Sequence, residues 1–203
     1  MVYLQKYIAC CAVFLLLAGC TGLQAPQVEN THLYLLDAKP AAKALPPQRN
    51  LVLAISQPVS WPGFDTPQMA YQRQPLALEY FATHRWADTP SRMLKPILMR
   101  ALESDFRTIV QTPGMIPADL RLDTELIRLQ QNFASKPSRI QLTLRTQLID
   151  VKNKRVIAEK LFDESENAAS DDAYGGVLAA NRALQRVLEQ LDEFCFNASG
   201  NFQ

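Results

Sequence analysis

Three stretches in the second half of the chain alternate apolar and polar residues with a period of two. Leu120, Leu122, Thr124 and Leu126 alternate with Arg121, Asp123 and Glu125. Ile140, Leu142, Leu144, Thr146 and Leu148 alternate with Gln141, Thr143, Arg145 and Gln147. A turn at Lys152-Asn153-Lys154 leads into a third stretch, Val156 to Phe162. This pattern predicts three strands, each with one wet face, joined as an antiparallel meander. The segment from Asn132 to Ser138, with Pro137, is the first hairpin loop. Earlier in the chain, Leu33-Tyr34-Leu35-Leu36 is a short apolar run that reads as a strand. Leu51-Val52-Leu53-Ala54-Ile55 is apolar throughout and reads as a central strand. Alternation at Leu76, Leu78 and Tyr80 suggests one more.

Two segments carry helical spacing. Asp88 or Thr89 can cap a helix that begins near Pro90, with Met93, Ile97, Leu98, Ala101, Leu102 and Phe106 on one stripe. Pro96 falls inside it and should bend it or restart its first turn. Ser170 or Asp171 can cap a longer helix with Asp172 in its first turn. Val177, Leu184 and Leu191 form one of its rows; Ala180, Val187 and Phe194 form the next. Asn181 falls on this apolar stripe and reads as an amide bonded to backbone. Pro58 to Pro75 holds four prolines together with Trp61, Phe64, Met69 and Tyr71, and reads as an irregular loop presenting apolar groups. The expected fold is α/β: a mixed, largely antiparallel sheet packed by two main helices in a single domain.

The first 20 residues, MVYLQKYIACCAVFLLLAGC, have a different pattern. Lys6 gives a short positive region, and Ile8 to Ala18 form an apolar run of signal-peptide length. The run is too short to span a membrane, which takes about 20 apolar residues. It ends in Leu17-Ala18-Gly19-Cys20, which resembles the bacterial lipobox. That resemblance implies cleavage before Cys20, diacylglycerol on its sulfur and an acyl chain on its amine. Two or more chains give stable anchoring. Thr21, where some sorting signals have Asp, implies delivery to the outer membrane. The expected organisation is a signal peptide over 1–19, a lipidated tether over 20–31, a domain over 32–196 and a frayed tail over 197–203.

Charge and chemistry then narrow the function. The chain has 21 Lys and Arg against 20 Asp and Glu. Lys6 is the only charged residue of the leader, so the remainder is neutral. A neutral domain offers no electrostatic case for nucleic acid. Of four cysteines, Cys10 and Cys11 leave with the leader and Cys20 takes lipid. Cys195 is left without a disulfide partner and reads as a small buried hydrophobe. His32, in the tether region, and His84, in a loop, are not placed to serve it. Phosphate-binding glycine motifs and a nucleophile elbow are absent. Asp163, Glu164, Glu166, Asp171 and Asp172 read as a solvated link and helix cap rather than a calcium site. No catalytic residue, metal or cofactor is expected beyond the covalent diacylglycerol and N-acyl chain on Cys20. A periplasmic hydrolase built from distant carboxylates is the remaining enzymatic alternative.

Pro62, Phe64-Asp65, Pro67-Gln68, Arg73 and Arg85-Trp86-Ala87-Asp88 stand in an order that resembles the ABC-type transport auxiliary lipoprotein family. The early Tyr34-Leu35-Leu36 strand and the closing helix also match, so the likeness covers roughly 32–195. The chain departs from the pattern at Thr66 and at Thr89-Pro90. The resemblance implies an outer-membrane, periplasm-facing lipoprotein that acts by binding beside an Mce-type lipid transport system. Its implied partners are an MCE-domain protein and ABC transporter subunits, and a neutral surface permits a homo-oligomer. A structural or pilot lipoprotein of another envelope complex is the alternative. Trp61 and Phe64 are the better interface candidates. Arg85 reads as a partner contact or a solvated charge, and Trp86 as a contact or as core at the strand–helix corner.

Overall fold

The computed structural model describes residues 30–39, 48–200 and 202. The expected signal peptide and Cys20 lie outside the described residues. Among those described, nine strands form one sheet. They are β1 (His32–Tyr34), β2 (Arg49–Ile55), β3 (Val59–Ser60), β4 (Gln68–Gln72), β5 (Glu79–Trp86), β6 (Phe106–Gln111), β7 (Leu120–Asn132), β8 (Arg139–Asp150) and β9 (Arg155–Asn167). Helix α1 (Pro90–Leu102) lies between β5 and β6, and α2 (Ala173–Ser199) follows β9. The α/β architecture, a mixed sheet with two main helices, is the one expected.

β7 is the spine. One of its edges carries β8 antiparallel along the whole strand, and β8 carries β9 in the same way. Its other edge is shared by three parallel partners in succession: β2 at Leu120–Leu122, β3 at Glu125–Leu126 and β4 at Gln130–Asn132. β6 lies outside β2 in parallel, and β5 outside β4 antiparallel, with β1 parallel at the far edge. The two antiparallel ladders β7–β8 and β8–β9 are the long ones; the parallel ladders and the antiparallel β4–β5 ladder are short. The alternation in β7 and β8 turns Leu122, Leu126, Leu144 and Leu148 into the core, each 0% exposed. Helix α2 lies on β8 and β9 with Val177, Ala180, Leu184, Val187, Leu191 and Cys195 buried. Its flank is fixed by Arg182 on Glu166 and by Arg186 on Glu164 and Glu166.

Several expectations need correction. The stripe that continued to Phe106 belongs to two elements: α1 ends at Leu102, and Phe106 opens β6. A β-branched run, Thr108-Ile109-Val110, pairs there with Val52, Leu53 and Ala54 and outweighs the helical spacing. Pro96 does not break α1, because it sits on the solvent face, where water can satisfy the carbonyl that loses its donor. The Pro-rich stretch is not one loop. It holds β3, a 3-10 turn at Pro62–Phe64 and β4, with Pro58, Pro67 and Pro75 between the paired segments. Leu76 lies outside β5, in a turn with φ of 66°, and the strand runs on to Trp86, taking His84 out of the expected loop. His32 likewise lies in β1. Asp163, Glu164 and Glu166 belong to β9 rather than to a solvated link. The cap of α2 is Asp172, whose carboxylate accepts from the Gly175 N–H at 2.7 Å. Residues Asn197 and Ser199 form its last turn, and Phe202 packs against the core, so the expected frayed tail is partly ordered.

Candidate functional site

The branch formed by β4, β5 and β1 meets the far end of β7 at an open groove of about 690 Å³. The ladder continues past β7 when the Phe133 N–H donates to the Gln72 carbonyl at 2.8 Å. This places the Phe133 ring beside Tyr71 of β4, at 5.8 Å between centroids and edge-on. Phe81 of β5 stacks at a tilt on Tyr71 at 4.7 Å. Tyr80, Ala82, Arg73, Ser135, Lys136 and Asp171 complete the lining. The aromatic contacts extend beyond the groove. Phe81 meets His84 at 5.9 Å, His84 stacks on His32 at 5.0 Å and on Tyr34 at 5.8 Å, and Tyr34 meets Tyr174 of α2 at 6.1 Å.

Polar groups hold this cluster in place. The Tyr71 hydroxyl donates to Glu79 at 2.9 Å and accepts from the Arg73 guanidinium at 2.8 Å. Burial, then the bond to Glu79, pushes the Tyr71 phenol above its ordinary range, so it remains a neutral donor. Burial and the Asp172 charge do the same for Tyr34. The Asp171 carboxylate accepts from the Ser138 N–H at 2.6 Å, and that bond holds its pKa below the ordinary value. The groove wall from Phe133 to Ser138 is thereby tied to the start of α2.

These groups suit recognition of a ligand or partner. The hydroxyls of Tyr71 and Tyr34 are bonded to Glu79 and His84 within the cluster, and no group of three metal-ligating side chains occurs among the described residues. Cys195 is 0% exposed, and burial followed by the Asp105 charge pushes its thiol well above the thiolate range. An aromatic floor with a cationic rim takes apolar or aromatic groups from a ligand and orients them by a few polar contacts.

Of the residues singled out in the sequence, Tyr71 and Arg73 line this groove, whereas the interface candidates Trp61, Phe64, Arg85 and Trp86 lie outside its lining. Trp61 is 48% exposed and lies over the polar face of the sheet, its indole N–H donating to Glu125 at 2.8 Å. Glu125 is also paired with Arg145. Phe64 is half-buried against the core. Arg85 is exposed, whereas Trp86 is 3% exposed. Trp86 therefore takes the core alternative and has almost no surface to offer a partner. Its N–H donates to the Pro67 carbonyl at 2.8 Å, Gln68 pairs with Arg85, and the Ala87 N–H donates to the Tyr34 carbonyl at 2.7 Å. The motif residues thus form the junction where β1, β4 and β5 meet and α1 begins. Asn181 behaves as expected: its amide donates to the carbonyls of Leu35 and Val177 and accepts from the Asp37 N–H. Sequence reasoning missed Phe81 and Phe133 and placed Tyr71 in a loop. They are brought together by pairing between distant strands, and no spacing in the chain announces it.

The fold has solved counterparts. The chain is similar to protein XCC0632 from Xanthomonas campestris, a DUF330 family member, with a TM-score of 0.75 at 19% identity over 83% of this chain and 96% of that one. An uncharacterized protein gives 0.65 at 13% identity over 82% and 99%. Hypothetical protein CT253 from Chlamydia trachomatis gives 0.52 at 13% identity over 75% and 100%. These likenesses define a fold class and no activity. No protein of curated function shows significant similarity to the sequence. The family model for the ABC-type transport auxiliary lipoprotein component matches residues 34–192, and the chain belongs to that family. It is a family of transport auxiliary components, not of enzymes.

Proposed function

We propose that this protein is anchored to the outer membrane through acyl chains on Cys20, faces the periplasm, and serves an Mce-type lipid transport system by binding. Its partner is an MCE-domain protein or an ABC transporter subunit, a segment of which lies in the aromatic groove. The carrying observation is the pair of partly exposed rings Phe81 and Phe133 packed on buried Tyr71 beside the Arg73 and Lys136 cations, a set of packed aromatic and cationic groups of the kind that dominate binding surfaces. Family membership supports the transport context. The lipobox-like Leu17-Ala18-Gly19-Cys20 supports the anchor.

The test is affinity purification of the full, membrane-extracted protein, as wild type and with Tyr71→Ala and Phe133→Ala combined. Recovery of an MCE protein or transporter subunit, reduced at least tenfold in the double variant, is the expected result. Recovery of a different envelope complex, or of no transport component, overturns the assignment. Mass spectrometry of the mature N-terminus tests the anchor separately: acyl groups on Cys20 are expected, and a bare N-terminus refutes them.

A further inference from the structure

The end of the domain where the chain enters has a surface that the groove does not use. In β1 and just beyond it, Tyr34 and Leu36 face the ring cluster and the core, while Leu33 and Leu35 are 65% and 62% exposed. Tyr174, Leu178 and Asn181 are spaced along one face of the first turns of α2. Tyr174 and Leu178 are 57% and 37% exposed, and Asn181 ties that face to the Leu35 carbonyl. Four large, exposed apolar or amphipathic side chains thus surround one edge.

Arg85 stands opposite Leu33 in the β1–β5 register and is exposed, and it enters no ion pair among the described residues. Lys136, in the nearby groove wall, faces the Asp171 carboxylate. Asp171 accepts from the Ser138 N–H and Asp172 from the Gly175 N–H, and both remain ionised, turned toward the backbone at the start of α2. Cations beside leucine and tyrosine suit a phospholipid headgroup layer.

Chain length decides which surface this end meets. His32 lies twelve positions after Cys20. A fully extended chain of that length reaches about 40 Å, and a coil reaches about 20 Å on average. Helix α2, with 27 residues, is itself about 40 Å long and points away from this end. With Cys20 acylated, the chain enters the domain at the β1 end, and a tether of this length lets that end reach the bilayer surface.

We propose that the surface made by Leu33, Leu35, Tyr174 and Leu178, with Arg85 beside it, rests in the headgroup layer of the phospholipid membrane. The proposal rests on acylation of Cys20, stated above as this protein's anchor. Its test uses the full acylated protein in vesicles of phosphatidylethanolamine and phosphatidylglycerol, with a nitroxide at Leu33→Cys, Leu35→Cys or, as a distal control, Val156→Cys. All three positions are exposed, and buried Cys195 escapes labelling in the folded protein. Labels at 33 and 35 should lose collisions with a water-soluble nickel complex at least threefold relative to 156 while retaining collisions with oxygen. Equal nickel accessibility at all three sites overturns the proposal. So does loss of collisions with both reagents, which marks burial against a second copy of the chain. Mass spectrometry of the same sample separates the two claims. Acylated protein with aqueous labels refutes the membrane face and leaves the anchor intact, whereas a bare Cys20 refutes both.

Discussion

The meander of β7, β8 and β9 under α2 differs from the branch of β4, β5 and β1 in how each obtains its structure. The meander uses strands of 12 or 13 residues, with clear alternation in the first half of β7 and the second half of β8, paired in antiparallel runs apart from single bulges. Its inward leucines, Leu122, Leu126, Leu144 and Leu148, are removed from water completely and its ions pair across the helix flank. The branch uses strands of three, five and eight residues set between prolines. It leaves the Phe81 and Phe133 rings partly exposed against a buried Tyr71, with the tyrosine hydroxyls of the branch bonded to Glu79, Arg73, His84 and the Gly63 carbonyl. The first region supplies apolar burial and the second supplies surface, so a binding site can be altered with little cost to the scaffold beneath it.

That division predicts a graded response to substitution. Leu144→Ala, at the centre of the meander and 0% exposed, should cost about 2–5 kcal/mol in urea unfolding. Gly175→Ala should come next, at about 1–3 kcal/mol, because an added Cβ would stand 2.2 Å from the Ser170 carbonyl oxygen, which the backbone holds in place. Asp172→Ala should cost about 1 kcal/mol through loss of the α2 cap. The Gly175 N–H holds the Asp172 pKa below its ordinary value of 3.8. Its contribution is therefore complete above that pH and is lost as pH falls through the lower folded value. Asp172→Asn, which keeps a capping oxygen but does not titrate, should show a shallower loss of stability below about pH 3.8 in acid unfolding curves. Trp61→Ala, on the exposed 3-10 turn, should change stability by less than about 0.5 kcal/mol. If Trp61→Ala proved as damaging as Leu144→Ala, the two regions would not differ as described.

The same contrast explains what could be read from the chain. Period-two alternation in β7 and β8 and the apolar rows of α2 are local signals, set by which residues one element turns inward. β6 escaped notice because Phe106 continues the stripe of α1, and only pairing with β2 claims it for the sheet. β4 escaped because its five residues lie among prolines and are held by β5 on one side and β7 on the other. The groove was illegible for a related reason: Tyr71, Phe81 and Phe133 approach one another only after three separate strands have aligned. The Arg85-Trp86-Ala87-Asp88 motif was legible as a family mark, but its physical content is structural. Trp86 is buried and its backbone bonds to Pro67 at the junction that launches α1.

The central claim is that the aromatic groove receives a transport partner. Its most direct test is a photo-crosslinking amino acid placed at Phe133 in the full protein in living cells, with identification of the adduct by mass spectrometry and an exposed site on the opposite end, Val156, as control. The account predicts adducts to an MCE-domain protein or an ABC transporter subunit from position 133 and none from position 156. Adducts from position 133 only to further copies of this chain, or equal adducts from both positions, would contradict it.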